Sequence, residues 1–533
     1  MKWTIKIEVS EPSFSIDVVP ELMPKILERS QKVQTLSNLS EILKSFRAEK
    51  KVIVLCHGVF DLIHPGHLRY FEEAKGLGDI LVVTLSPDRF VNKGPARPVF
   101  NQKLRAEALA ALQIIDFVAI NETPSAVETI LQLQPDLYAK GGEYKELQDL
   151  TGNVAKESEA IRSIGGKMVF TDDITFSSTR LLNDYFSVFS PDAEAYLNRF
   201  RCDYTADKVI SMFKSLDRMR VLVVGDTIID EYHFCRAMGL ANKSATINAR
   251  FLQSESHLGG ACALANHISN FCPQTHLVTC LGENEDALEF VTSKLNSNIT
   301  TEFCIKPEAT TTVKRRFLDF DSRNRLFELS FLDDQPLALQ LEQQVLKHLL
   351  EDAPDFDLIM AADFGHGFIT PNMVDLLCSL KPFLAVNAQT NSANTGFNLI
   401  TKYPEANYVC IDEREIRLAC HERFRPIEEL VGNLAKRMHA SVLSVTQGQH
   451  GSTTWTADSE IFQSSAFTTE VVDATGAGDA YFALSSLCVA AGYPAEFIGF
   501  AGNCAGAMMV RVLGNAESIT QEKFYQFVSS ILK

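Results

Sequence analysis

Residues 50–67 read KKVIVLCHGVFDLIHPGH. An apolar, β-branched run ends at Leu55, and a turn with Gly58, Pro65 and Gly66 follows it. Short apolar runs bounded by turn residues suit a strand buried on both faces. The segment GHLRYFEEAKGLG, from Gly66, reads as a helix. A strand, a glycine turn and a helix in this order set backbone N–H groups at the carboxyl edge of a parallel sheet. Open α/β sheets bind ligands there, and a helix start favours phosphate. His64 and His67 flank Pro65-Gly66 at that place, without the helix-borne glutamate of a zinc-protease motif. Imidazoles so placed can donate to an α-phosphate that gains charge as pyrophosphate leaves, and their charge is easily tuned near neutral pH. The plainer reading is that the two histidines only shape a turn.

Working outward, strands and helices alternate. After VIVLC come the strand ILVVTL, a helix from about Gln102 to Gln113, the strand FVAI, a helix from about Ser125 to Gln134, and the strand DLYAK. Alternation of this kind implies a parallel sheet covered by helices. The unit closes near Phe186, and the pattern restarts at RVLVVGD, residues 220–226. No internal repeat links the halves. The expected organisation is an N-terminal extension over 1–50, an α/β domain over 51–190, a helical linker over 191–215 and a second α/β domain over 216–533.

Composition narrows the function. The chain has 533 residues, 46% of them hydrophobic, and a formal charge of −17 without a basic block. Nucleic acid and anionic membranes both call for a positive surface, so neither is an expected partner. The start MKWTIKIEVSEPSF has no apolar core of signal-peptide length, and FIGFAGNCAGAMMV is too short and broken to span a bilayer. Twelve cysteines include no CxxC pair, which suits reduced, buried thiols in a cytoplasmic enzyme.

The second half carries VVDATGAGDAYFA, residues 471–483. A strand is expected to end at Asp473 and a helix to start near Gly478. The small residues between them let backbone amides converge as an anion hole for a transferring phosphoryl group. Asp479 at the helix start can take a proton from an attacking hydroxyl. GDTIIDEY supplies Asp226 and Asp230, and LGGACALAN supplies Gly259, Gly260 and Asn266. Acidic and amide groups at strand ends suit a polyhydroxylated ligand, whose hydroxyls both donate and accept. The DFG at 363–365 is not a protein-kinase motif, because neither a matching catalytic loop nor a glycine-rich ATP loop precedes it.

Two resemblances follow. GVFDLIHPGH, with VNKGPARPVF, LRAEALAAL, LYAKGGEY and TFSSTRLL, resembles the HxGH signature set of cytidylyltransferase-like nucleotidylyltransferases, over about Val52 to Phe186. The resemblance implies a Rossmann-like fold. It puts His64 and His67 on the nucleotide phosphates, Lys93 as a phosphate clamp, and Ser178, Thr179 and Arg180 opening a last helix over them. Gly58, Phe60 and Lys140 are implied near the nucleotide. Hydroxyls also suit an ordinary N-cap, and Arg180 a triphosphate. The region from about Arg220 to Lys533 resembles the ribokinase-like sugar kinases, which implies an α/β fold with a small β lid. By position, Asp479 becomes the base and Gly476, Ala477 and Gly478 the anion hole. Asp226, Asp230, Gly259, Gly260 and Asn266 line the sugar, and Thr446, Gly448 and Asn503 hold ATP. TTVKRRFLDF resembles the lid strands, so Lys314 or Arg316 is implied at a phosphate.

This chain departs from that family in two places. The usual Asn-x-x-Glu that organises Mg²⁺ through water is matched by Asp412 and Glu415, and an aspartate keeps an oxygen ligand; as surface helix charges the two would have no such role. VNAQTNSANTGFN, residues 386–398, is amide-rich where related kinases place an aspartate-containing segment.

Together the halves are similar to the bifunctional heptose kinase/nucleotidylyltransferases, in reversed order. That resemblance implies Mg²⁺, ATP and a second NTP (ATP or CTP), a sugar or sugar phosphate as ligand, and a homodimer through the kinase lid. The alternatives are a sugar kinase with a regulatory or binding N-terminal module, a scaffold of two decayed enzyme domains, and a glycerol- or choline-phosphate-type cytidylyltransferase fused to a kinase.

Overall fold

The computed structural model describes residues 4–5, 16–17, 31–91, 97–142, 153–171, 189–240, 246–458, 460–468 and 471–533. It divides into two units, Met1–Val188 and Phe189–Lys533. Two short strands, β1 (Thr4–Ile5) and β2 (Ile16–Asp17), pair with each other.

The first unit is built on β3 (Val33–Gln34), β4 (Ile53–Gly58), β5 (Ile80–Leu85), β6 (Phe117–Ile120), β7 (Leu137–Lys140) and β8 (Lys167–Phe170). They form one sheet in the order β3-β6-β5-β4-β7-β8, with every pairing parallel. Strand alternation splits the core in two. Val54 and Cys56 meet Tyr70 and Phe71 on one face, while Ile53 and Leu55 meet Leu36, Leu39 and Leu43 on the other. One expectation changes as a result. Residues 33–48 are part of this unit rather than an extension: β3 extends its sheet, and the Thr35-capped helix Leu36–Ala48 fills its second core. The strand order also reverses at β4, with β5 on one side and β7 on the other, so the crevice of the fold opens where the HxGH turn begins.

The second unit has a main sheet built around β9 (Arg220–Leu240), β11 (Gln274–Gly282), β12 (Ile299–Lys306), β15 (Leu358–Asp363), β16 (Phe383–Ala388), β17 (Tyr408–Asp412), β18 (Val442–Thr446), β19 (Ser452–Thr456) and β20 (Ile461–Ser464), in the order β12-β11-β9-β15-β16-β17-β18-β19-β20. β9 is 21 residues long. Its first part lies between β11 and β15, and its second part leaves the sheet to pair with β10 (Ile247–Gly259) and β13 (Thr312–Asp319). With β14 (Arg325–Phe331) against β13, these strands form the expected lid. Alternation points Asp230, Lys314 and Arg316 inward and His233, Arg315 and Phe317 outward.

The expected linker is also reassigned. Residues 191–214 are helical, as Pro191–Asp203 and Ala206–Lys214, but Tyr196, Leu197, Phe200 and Phe213 are fully embedded in the second unit's core. Phe200 stacks 4.0 Å from Phe500. Residues 471–476 form a turn rather than the end of a strand, held by the Val472 and Asp473 N–H groups on Val510 O. Among the described residues no helix is long and apolar enough to cross a membrane, and the cysteines are free thiols.

Candidate active sites

In the first unit, β4 runs into Val59 and Phe60, and the helix Pro65–Gly76 begins with His64 as its N-cap and proline at its first position. Proline suits that position because its missing N–H would have had no intrahelical partner. The His64 and His67 rings stack with centroids 3.9 Å apart. Phe60, at φ 49°, sets its ring edge-on to His67 at 5.3 Å. Gly58 leaves room for this ring, since a Cβ there would fall 2.9 Å from Phe60 Cζ. The loop is fastened by residues whose roles the motif did not disclose. Asp61 accepts from the N–H groups of Val99 (2.7 Å) and Phe100 (3.2 Å) and pairs with buried Arg97 at 3.0 Å. Buried Arg105 donates to the carbonyls of Val59, Phe100 and Ser86 and to Asp88, so the loops after β4 and β5 share one guanidinium.

Lys140 ends β7 as expected, but its ammonium sits 2.9 Å from the buried Glu157 carboxylate. Glu157 also accepts from Tyr138 OH and Ala126 N–H, so this lysine belongs to a network of the sheet's second face. Nearby His57 is held neutral, its pKa lowered to about 3 by burial and then by Lys140. Lys93, Ser178, Thr179 and Arg180 lie outside the described residues.

In the second unit one cleft of about 290 Å³ collects most of the expected residues: Asp230, Gly260, Lys314, Asp412, Glu415, Thr446, Gly476, Gly478 and Asp479. The helix Ala477–Ala490 starts at Gly476, whose φ of 82° favours glycine, and whose Cβ would lie 2.0 Å from Asn515 Oδ1. Asp473 secures this turn by accepting from Thr475 N–H and Oγ1, Gly514 N–H and Tyr232 OH, and by pairing with Arg325 at 2.5 Å. Asp479 lies in the helix's first turn and accepts from Gln389 Nε2 at 2.7 Å. Burial raises its pKa to about 6; Asp230 adds to the rise, while the Gln389 hydrogen bond and Lys314 oppose it.

Asp230 pairs with Arg316 at 2.5 Å, and Arg316 also reaches Glu328 at 3.0 Å. Gly259 leaves room for this carboxylate, since a Cβ there would fall 2.4 Å from Asp230 Oδ2. Asp412 and Glu415 form a capping box at the helix Glu413–Cys420, and Glu415 also accepts from Thr390 N–H at 2.9 Å. Burial, then the Asp412 charge, raises the Glu415 pKa to about 8, and burial raises Asp412 as well. Glu415 takes the Asp412 N–H on Oε2 and the Thr390 N–H on Oε1, and Asp412 Oδ1 takes the Glu415 N–H. Asp412 and Glu415 both line the cleft, and carboxylate oxygens are the ligand type that Mg²⁺ takes while keeping several of its waters.

Three expected ligand contacts are placed elsewhere. Buried Asp226 accepts from the N–H groups of Phe364, His366 and Phe368, so it braces the DFGHG loop; burial and then Asp363 raise its pKa to about 6. Asn266 lies on the helix Gly260–Ser269, where its amide donates to Lys294 O and accepts from Asn296 N–H, holding a neighbouring loop. Asn503 is buried and donates to Ser452 Oγ (2.9 Å) and Ser464 O (3.2 Å). Gly448 follows β18 at φ 56° with open space around it. Ala477 is the first residue of the helix that follows Gly476.

A glycine turn that opens a helix, a carboxylate in that helix's first turn and a polar cleft under a β lid suit a phosphotransferase-type site, and the chain belongs to the pfkB family of carbohydrate kinases, whose profile matches residues 218–522. Ahead of it, residues 55–183 match the cytidylyltransferase-like family, so the transferase-like unit precedes the kinase. Curated relatives include "Bifunctional protein HldE" of Syntrophotalea carbinolica, 34% identical over 166 residues (30% of this chain, 33% of the relative). The protein of the same name from Methylobacillus flagellatus is 37% identical over 153 residues (28% and 30%). The chain thus spans about a third of the length of these relatives. Solved structures similar to it include phosphofructokinase-2 from Escherichia coli in complex with potassium (12% identity, TM-score 0.48, 59% of this chain and 100% of that one). Ribokinase of Arabidopsis thaliana complexed with ribose and ATP is also similar (16%, 0.45, 59% and 99%).

Proposed function

We propose that this chain makes an activated nucleotide-sugar through two separate sites. In the second unit a hydroxyl of a heptose-like sugar or sugar phosphate attacks the γ-phosphorus of ATP. Asp479 accepts the hydroxyl proton, the bond to the β,γ-bridging oxygen breaks, and ADP leaves. The N–H groups of Gly476, Ala477 and Gly478 face the transferring oxygens, Asp230 holds sugar hydroxyls, and Lys314 offers a cation to an anionic group. Thr446 and Gly448 are read as the nucleotide side, while Asn503 stays engaged with Ser452 and Ser464. Mg²⁺, held through water by Asp412 and Glu415, would supply charge neutralisation on the phosphates. In the first unit a sugar phosphate oxygen attacks the α-phosphorus of ATP or CTP and pyrophosphate departs. His64 and His67 donate to the phosphate, with Lys93, Ser178, Thr179 and Arg180 as further phosphate ligands.

The observation that carries this reading is the single cleft joining Asp479, the glycine turn, Asp230, Lys314 and the Asp412–Glu415 box. The test is a panel of sugars and sugar phosphates with ATP and CTP, read by mass spectrometry for phosphorylated sugar, ADP, nucleotide-sugar and pyrophosphate. Kinase turnover with no pyrophosphate from any pair would reduce the first unit to a binding module.

The lid suggests a homodimer. Its outward face exposes Phe251, Phe327, Leu329 and Phe331, with Phe317 stacked 4.4 Å from Phe327. Contiguous apolar surface of this kind marks an interaction site. The free thiols fit a reducing cytoplasm.

A further inference from the structure

We propose that Gln389 is a positioning residue that fixes the plane of the Asp479 carboxylate and leaves one of its oxygens for the acceptor hydroxyl. The inference rests on the reading of Asp479 as the base. A carboxylate near the start of a helix can turn about its last side-chain bond, and only one orientation points a lone pair at a bound hydroxyl. The 2.7 Å bond from Gln389 Nε2 to Asp479 Oδ1 selects that orientation and leaves Oδ2 to the cleft, which Gln389 also lines.

Gln389 can orient another group because it is itself held. Its N–H donates to Asp363 O at 2.8 Å, and its carbonyl accepts from Asn398 Nδ2 at 3.1 Å. Asn398 is fixed in turn by Asp363 and by Lys402 Nζ at 2.6 Å. The next residue, Thr390, gives its N–H to Glu415 at 2.9 Å. Asn391 and Asn394 tie the same loop to Phe364 O. The amide-rich stretch 387–398 is thereby a scaffold that ends in one contact with the base.

A neutral donor suits this place. Asp479 faces Asp230 and Lys314 and lies in the field of Glu415, while Arg316 is engaged with Asp230. A second cation would hold the carboxylate too firmly to accept a proton, and a carboxylate would push its pKa further up. An amide orients it with little change of charge.

The test uses the full chain with its best acceptor. Asp479→Asn comes first, and wild-type turnover by it would overturn the base assignment and this inference with it. Gln389→Leu keeps the side-chain volume without the donor, and Gln389→Glu keeps the shape with a charge. Gln389→Leu is expected to lower kcat roughly ten- to hundred-fold, the range of a hydrogen bond to a charged group, with KM for ATP unchanged. The acid limb of its kcat profile should move to higher pH, and Gln389→Glu should move it further. Combined with Asp479→Asn, Gln389→Leu should cost nothing more. Wild-type kcat with an unmoved acid limb in Gln389→Leu would overturn the proposal. So would losses that multiply with Asp479→Asn, or losses that merely follow the folded fraction in thermal melts.

Discussion

At the scale of single residues, the chemistry rests on groups whose surroundings shift their protonation. As the proposed base, Asp479 must be ionised to take a proton, and burial raises its pKa to about 6. The kinase rate should therefore fall as pH drops through about 6 and level off above it, measured as ADP release with saturating ATP and sugar. Asp479→Asn should lower phosphoryl transfer by ~10²–10⁴, the range for losing a general base, while pyrophosphate release by the other unit continues. His67→Ala should do the reverse. A donor to an oxygen that gains charge in the transition state is worth roughly 3–4 kcal/mol, so pyrophosphate release should collapse while the kinase stays intact. His64→Ala should match it. Melting temperature and pyrophosphate release measured on the same samples separate this from turn-shaping, which would lower stability and keep activity per folded molecule. Asp226 predicts differently, because its three N–H partners are buried. Asp226→Ala should destabilise the second unit by at least ~2 kcal/mol, since buried donors left unmade cost about 1–3 kcal/mol each. Denaturant unfolding would show it.

At the scale of elements, both sites are turns that open a helix, the first of them fed directly by β4, and these turns tolerate little. Gly476→Ala puts a Cβ on a residue at φ 82° and against Asn515. Left-handed strain alone costs about 1–3 kcal/mol. The variant should lose most of its kinase activity and keep its nucleotidyl transfer, read by parallel assays. These joints are legible in the sequence because their signals are local: an apolar run, small residues and a polar residue at the helix start lie within about a dozen positions. What the sequence hides is long-range. Gln389 and Asp479 are 90 positions apart, and Arg325 and Asp473 are 148 apart. Asn266 and Asp226 looked like ligand groups because amides and carboxylates at strand ends often are. Only the fold shows that Asn296 and the 364–368 loop have already claimed them. The helices over 191–214 read as a linker in the sequence, and only the fold shows that Tyr196, Leu197, Phe200 and Phe213 enter the second unit's core.

At the scale of the molecule, those helices decide where the chain can be cut. Residues 189–533 expressed alone should fold and phosphorylate sugar, whereas a chain starting at 216 strips Tyr196, Leu197, Phe200 and Phe213 from the core. Each buried Leu or Phe contributes about 1.5–3 kcal/mol, so the shorter chain should be insoluble or molten, as near-ultraviolet circular dichroism would report. If the lid pairs two copies, Phe327→Asp should shift sedimentation toward monomer. The long strand β9 carries a further consequence. One uninterrupted ribbon sets the main sheet, the inward Asp230 and Tyr232, and the outward Glu231 and His233. A single codon inserted between Asp226 and Asp230 would exchange those two faces, turning Asp230 away from the cleft and disturbing the lid's exposed apolar face in the same step. Point substitutions in this ribbon can be graded, but changes of length cannot. In a library of one-codon insertions, residues 226–234 should be a silent zone for kinase activity, while the lid's hairpin tip at 320–324 accepts added residues.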